Sequence, residues 1–235
     1  MQRNMKNYMK YTKLRWLFIA FSIVGLIPSA AAESQDVQLR CIAFYNLENV
    51  FDTIHDEGKN DYEYLPDGGM KWTSLKYTNK IQNMAYAIAQ LGTDEDPRGA
   101  AIVGVSEVEN IGCLHDLCKE LKEKHNRNYV PILLEGPDRR GIDVGLLYNP
   151  DMFKPVGQPK GYELKAHYAD GGVVRSRLQL WISGYLLDDN RKIVMDKIHI
   201  SVNHWPSRSG GEESSRATRD TAAMLVKHVA DSIYM

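Results

Sequence analysis

Ala100-Ala101-Ile102-Val103-Gly104-Val105 is an unbroken apolar run that stops at Ser106-Glu107-Val108-Glu109-Asn110. A short apolar run bounded by charge suits a strand buried on both faces of a sheet. Tyr129 to Leu134 and Ile142 to Tyr148 repeat the type. Around these runs, Leu75, Ile81, Met84, Ala85, Ile88 and Leu91 recur at spacings that put them on one face of a helix over 74–91, with Gly92 as its stop. Leu114, Leu117, Cys118 and Leu121 mark a second helix, and Leu225, Val226, Val229 and Ile233 mark the apolar face of a last one. Val37 to Asn46 roughly alternates, as a strand does. Val173 to Leu187 and Lys192 to Asn203 read as two long strands joined at the turn Asp188-Asp189-Asn190. Strands thus alternate with helices along one domain, with no repeat and no linker.

With 43% hydrophobic and 25% charged residues among 235, the composition is that of a globular chain. The first residues differ in kind. Arg3, Lys6, Lys10, Lys13 and Arg15 precede an apolar run from Trp16 to Ile27, then Pro28 and the small residues 29–32. This pattern predicts a secretory leader over 1–32, cleaved after Ala32, with the mature chain exported to the periplasm, cell surface or exterior. The run is shorter than the ~20 residues that cross a bilayer, so no stable membrane span is expected in the mature chain. Removing those five basic residues from the 29 leaves 24 against 30 acidic ones, an excess of six negative charges. Bulk charge therefore does not draw the mature chain to a polyanion, and a nucleic-acid partner would need a local site. Cys41, Cys113 and Cys118 are too few and wrongly spaced for a disulfide framework or a zinc site, and they read as core residues.

Four segments place polar residues at strand ends, where a sheet can hold them rigidly. Asn46, in Tyr45-Asn46-Leu47-Glu48-Asn49, can offer a carbonyl to a hard cation or an amide to a phosphate, or simply turn the chain. Glu107 follows its apolar strand at once, as a Mg²⁺-holding carboxylate does, or it opens a surface loop. Asp143, after Arg139-Arg140-Gly141-Ile142, opens a strand that reads as buried, so its charge needs a partner. His204, Ser207 and Arg208, in Asn203-His204-Trp205-Pro206-Ser207-Arg208, could cradle a phosphate, or His204 could be a structural histidine. Phosphate loops of the Gly-rich type and nucleophile elbows are not found.

Taken in this order, the four segments resemble the endonuclease/exonuclease/phosphatase superfamily, whose members include deoxyribonuclease I, exonuclease III, sphingomyelinases and inositol phosphatases. Tyr45 to Asp52, Lys71-Trp72 and Asn203 to Arg208 are similar to its secreted bacterial branch. The resemblance implies an α+β fold of two β-sheets packed face to face with helices outside. It implies metal-assisted hydrolysis of a phosphodiester in a nucleic acid or a related substrate. On the matching positions, Glu107 would ligate Mg²⁺ or Mn²⁺ with Asn46 beside it. His204 would donate to a phosphate or leaving-group oxygen, with Asp143 orienting and charging it. Arg177, Ser207 and Arg208 would contact phosphate.

The family follows its His motif with Gly-Asp-x-Asn and closes on Ser-Asp-His, which position and deprotonate the attacking water. Neither follows His204 in these 235 residues. The resemblance therefore implies that 33–235 is a catalytic domain lacking its C-terminal part, or a degenerate copy, with turnover weak by itself. A lipid or sugar phosphatase on the same scaffold, or a remnant that binds cation and phosphate without catalysis, remain open readings at this point. No protein partner is legible.

Overall fold

The computed structural model describes residues 38–168, 171–193, 196–208 and 210–234. The expected leader lies outside them. No helix among the described residues is long and apolar enough to cross a membrane. The elements in chain order are β1 (Ile42–Val50), a short 3-10 turn at Tyr62–Tyr64, α1 (Ser74–Ile88), β2 (Ile102–Val108), α2 (Ile111–His125), β3 (Val130–Leu133), β4 (Asp143–Tyr148), β5 (Phe153–Tyr162), β6 (Gln179–Leu186), β7 (Ile198–Val202) and α3 (Glu212–Tyr234). They build two sheets, ordered β1-β2-β4-β3 and β5-β6-β7. Among the described residues, only the β1–β2 pairing is parallel.

Alternation along the strands makes the layers. Val103 and Val105 of β2 and Leu147 of β4 pack with Ile81, Ala85, Ile88, Leu114, Leu117 and Leu121 of the two helices. Ile102 of β2 with Val144 and Leu146 of β4 point the other way, into a second core shared with Leu180, Ile182 and Val202 of the facing sheet. A Cβ at Gly104 would sit 3.3 Å from both methyls of Val202, so a glycine in the apolar run is what lets the sheets approach so closely here. On the outer face of the second sheet, Gln179 donates through Nε2 to the Ala222 carbonyl of α3 (2.8 Å), and Ala222 packs with Leu164, Ala166 and Val174. Helices, sheet, sheet and helix thus form the four layers expected.

The helices begin and end where their chemistry permits. Thr73 caps α1 by accepting from Lys76 N, and Asn110 caps α2 by accepting from Cys113 N (3.1 Å). α2 closes on the basic residues Lys122, Lys124 and His125 and a left-handed Asn126. Cys113 and Cys118 are buried, Cys41 is half-buried, and all three are free thiols.

Several elements differ from expectation. β5 is unexpected, since Phe153-Lys154-Pro155-Val156-Gly157-Gln158-Pro159-Lys160 has the composition of a turn; an edge strand with a bulge between Val156 and Lys160 tolerates those prolines. The two long strands of the last hairpin shorten to β6 and β7, with only an isolated Leu187–Ile193 bridge near the turn. β3 is an edge strand rather than a central one. α3 starts at Glu212 and buries Ser215, Thr218, Ala222 and Val229, while Leu225, Val226 and Ile233 stay partly exposed.

One ion-pair network ties the start of β1 to the α1–β2 loop and the β6–β7 turn. Asp96 receives Arg98 through two bonds (2.9 and 2.7 Å) and Arg40 through one (3.1 Å), and both arginines also reach Asp189. The Arg98 hydrogen bonds hold the Asp96 carboxyl below its ordinary range. The side chains of Asp96 and Arg40 are each 7% exposed, so removing one charge strands the other. Asp96→Asn is therefore expected to lower the unfolding free energy by about 2–3 kcal/mol in a urea titration. A loss under about 0.5 kcal/mol would mean that solvent screens the network.

Candidate active site

Two bulges aim the site. The parallel register of β1 and β2 pairs Asn46 with Ser106 and then slips before Val50. The antiparallel register of β2 and β4 slips between Ser106 and Val108, leaving Glu107 as the extra residue. Glu48 (φ 57°), Asn49 (φ 62°) and Glu107 (φ 62°) are left-handed. For a non-glycine residue such as Glu107 that conformation costs about 1–2 kcal/mol. Bulges re-aim side chains, and here the product is a contact. Asn46 donates through Nδ2 to Glu107 Oε1 (3.3 Å), with its own Oδ1 fixed by Glu48 N (2.9 Å).

His204, beyond the end of β7 in the other sheet, completes the cluster, with Nε2 3.4 Å from the same Glu107 oxygen. Asn46, Glu107 and His204, far apart in sequence, therefore meet as expected. Burial first, then the Arg177 charge, lowers the His204 pKa, while Glu107 opposes them. The loop carrying His204 is clamped by Arg177, which donates to the His204 carbonyl (3.1 and 2.8 Å), the Trp205 carbonyl (2.9 Å) and Asp138 Oδ2 (3.2 Å). Four of the roughly five N–H donors of a guanidinium are thus engaged, and Arg177 acts on the position of His204 more than on a free anion. Arg208 is exposed, and its carbonyl accepts from Gly211 N (2.9 Å). Ser207 lines a cavity beside the His204 loop together with Arg177.

The expected Asp143–His204 pair does not form. Asp143 is 1% exposed and accepts from Gly136 N (3.1 Å) through Oδ2, while its Oδ1 has no partner. The reason lies in the sheet: Asp143 pairs in register with Val108, past the Glu107 bulge, and turns inward beneath the 135–138 loop. Burial pushes its carboxyl up to about 7. Because the folded value lies above the ordinary 3.8, this group favours the fold fully at acid pH, and the contribution fades as pH rises through 7. Asp143→Asn is expected to flatten that dependence, so that urea midpoints of variant and parent converge or cross between about pH 5 and pH 8 in favour of Asn. Parallel curves would show a carboxylate already ionised in the fold.

Two residues near the cluster escaped the sequence. Asp138 partners Arg177 and is 7% exposed; in sequence it is an Asp between Pro137 and two arginines, with nothing to mark it as buried. Lys80 of α1 has its pKa lowered by burial, opposed by the nearby charges of Glu48 and Glu107. In sequence it is one more polar-face lysine. Tyr64, stacked on Phe51 with centroids 4.0 Å apart, and Trp72, whose Nε1 donates to the Phe51 carbonyl (2.7 Å), brace the loop after β1.

Two groups of ligand atoms could hold a cation. Asp52, Glu109 and Cys113 bring one atom each within 4.8 Å of one another. Burial raises Glu109 to about 8 and Cys113 to about 12, and the Asp52 oxygens already accept from Ile54 N (2.6 Å) and Asn110 Nδ2 (3.1 Å). That set braces the ends of β1 and β2, with Glu109 Oε2 also accepting from Asp52 N (2.7 Å). Glu107 fits a hard cation better, because its side chain is 17% exposed and both side chains bonded to it, Asn46 and His204, meet at a single oxygen, Oε1.

Paired sheets thus lie between helices, and an Asn, a Glu and a His from different strands and loops meet at one point. Residues 41–235 match the family model described as Endonuclease/Exonuclease/phosphatase family, and the chain belongs to that family. Similar solved structures include an endonuclease/exonuclease/phosphatase family protein from Bacteroides thetaiotaomicron, 16% identical with a TM-score of 0.48, covering 82% of this chain and 57% of that one. An endonuclease/exonuclease/phosphatase from Bacteroides vulgatus is 17% identical, with a TM-score of 0.45, 81% of this chain covered and 59% of that one. A mannosyl-6-phosphatase from Bacteroides thetaiotaomicron VPI-5482 is 14% identical, with a TM-score of 0.48 and coverages of 82% and 59%. The chain thus spans less than two thirds of the length of each. No curated protein matches it.

Proposed function

We propose that this site hydrolyses phosphodiester bonds with the aid of Mg²⁺ or Mn²⁺. The observation that carries the reading is the meeting of Asn46 and His204, from two different sheets, at one oxygen of Glu107 (3.3 and 3.4 Å). Glu107 would hold the ion, and when bound the ion supplies charge to polarise the ester and stabilise the leaving oxyanion. Asn46 holds the carboxylate in place through its amide. His204, half-buried and clamped by Arg177, presents Nε2 where it can donate a proton or hydrogen bond to a phosphate or leaving-group oxygen. The bulge keeps Glu107 rigid, so no reorganisation is needed as charge develops.

The test is hydrolysis of bis(p-nitrophenyl) phosphate, p-nitrophenyl phosphate and DNA with Mg²⁺, with Mn²⁺ and with chelator, alongside calorimetric titration of Mn²⁺. Diester turnover that stops with chelator is expected. Turnover of the monoester alone would move the assignment to a phosphatase, and no saturable Mn²⁺ binding would remove the metal from the site.

A further inference from the structure

Beneath the loop carrying His204 lies a cavity of about 490 Å³ whose walls include Arg140, Arg175, Arg177, Ser176, Ser207 and Ser214. Asp138 is the one carboxylate among the described lining residues, and it is engaged by Arg177 (3.2 Å) and faced by Arg140 (3.7 Å). Three guanidinium groups against one carboxylate leave a local excess of two positive charges, in a chain whose formal net charge is −1. Arg175 is exposed and, among the described residues, pairs with no carboxylate.

Ser176 is the second observation. It is 5% exposed and lines the cavity, where its hydroxyl can donate to a ligand oxygen. Ser214 brings in the first turn of α3, the positive end of a 23-residue helix. A second space, of about 400 Å³, shares Asp138 and Arg175 with the first and adds Lys59 and Arg139. Guanidinium forks with hydroxyls between them suit a tetrahedral, doubly charged anion better than a single carboxylate. The volume falls in the range of about 300–1,000 Å³ that takes small molecules, and a concave space admits a compact terminal phosphate more readily than the convex backbone of a duplex.

We infer that this cavity binds a phosphomonoester group of the substrate, separate from the phosphate cleaved beside Glu107 and His204. The two sites share a wall, because Arg177 both lines the cavity and donates to the His204 carbonyl (2.8 Å). The inference rests on the phosphoesterase reading only in calling this group part of the substrate. The substrate class it selects is a small diester that bears a further phosphate.

The experiment is calorimetric titration of inorganic phosphate into the whole chain in the presence of EDTA. Chelation separates the two readings: a chain inert in hydrolysis can still bind phosphate here, and an active one can fail to. Saturable binding is expected, weakened about tenfold or more by Arg175→Gln and by Arg140→Gln, and kept within about twofold in His204→Ala. Arg175 is exposed and unpaired, so its variant should melt with the parent. Absence of saturable binding, or binding that depends on His204 and ignores Arg175, would overturn the inference.

Discussion

Glu107→Ala is expected to lower chelator-sensitive diester turnover by about 10²-fold or more and to weaken Mn²⁺ binding at least about tenfold. The loss should fall on kcat as well as kcat/KM, since the carboxylate acts where charge develops rather than in uniform binding of substrate. Folding and chemistry separate cleanly at this residue because of its backbone. At φ 62° a glycine is unstrained where glutamate is not. Glu107→Gly therefore relieves about 1 kcal/mol of left-handed strain, offset in part by the greater freedom of glycine in the unfolded chain. It should melt no lower than the parent while losing as much activity as the alanine variant. Unchanged turnover and Mn²⁺ affinity in both would remove Glu107 from the site.

His204→Ala should cost about 10²-fold in kcat, the usual scale for one positioned donor or acid. Its melting temperature should change little, because the loop is held through the His204 and Trp205 carbonyls, which alanine retains, rather than through the imidazole. Arg177→Ala gives the contrasting pattern. It frees the same loop and strands Asp138, 7% exposed, so stability and kcat should fall together. If His204→Ala destabilises as Arg177→Ala does and leaves kcat intact, the imidazole is structural and the proposed donor is wrong.

The contrast between Asp143 and Glu107 shows how far the sequence could be read. Both sit where an apolar strand meets charge, and both were assigned to the cleft. Only one is there, because a single-residue bulge between Ser106 and Val108 turns Glu107 out and leaves Asp143 facing inward. Hydrophobic patterning places strands to within a few residues, as at β2, β4, α1 and α2, but a bulge is one residue of backbone conformation and leaves little trace in composition. β5 was hidden for a related reason: its prolines and glycines are turn residues unless the strand has no neighbour on one side. The clamp by Arg177 was illegible because its acceptors are main-chain carbonyls, which every sequence offers equally. Glu107 and His204 were legible because each lies where an apolar run gives out, whereas Asn46 sits mid-strand in β1, at the last paired position before the register slips.

The prolines of β5 also bear on how copies of the protein behave at high concentration. A sheet edge is a seam of open amides and carbonyls to which another molecule's strand can be stitched. Along β5 that seam is broken at Pro155 and Pro159, bulged between Val156 and Lys160, and flanked by the charges of Lys154 and Lys160. Crowded molecules gain little by docking there, and among the described strands the seams left for ribbon-like assembly are those of β1, β3 and β7.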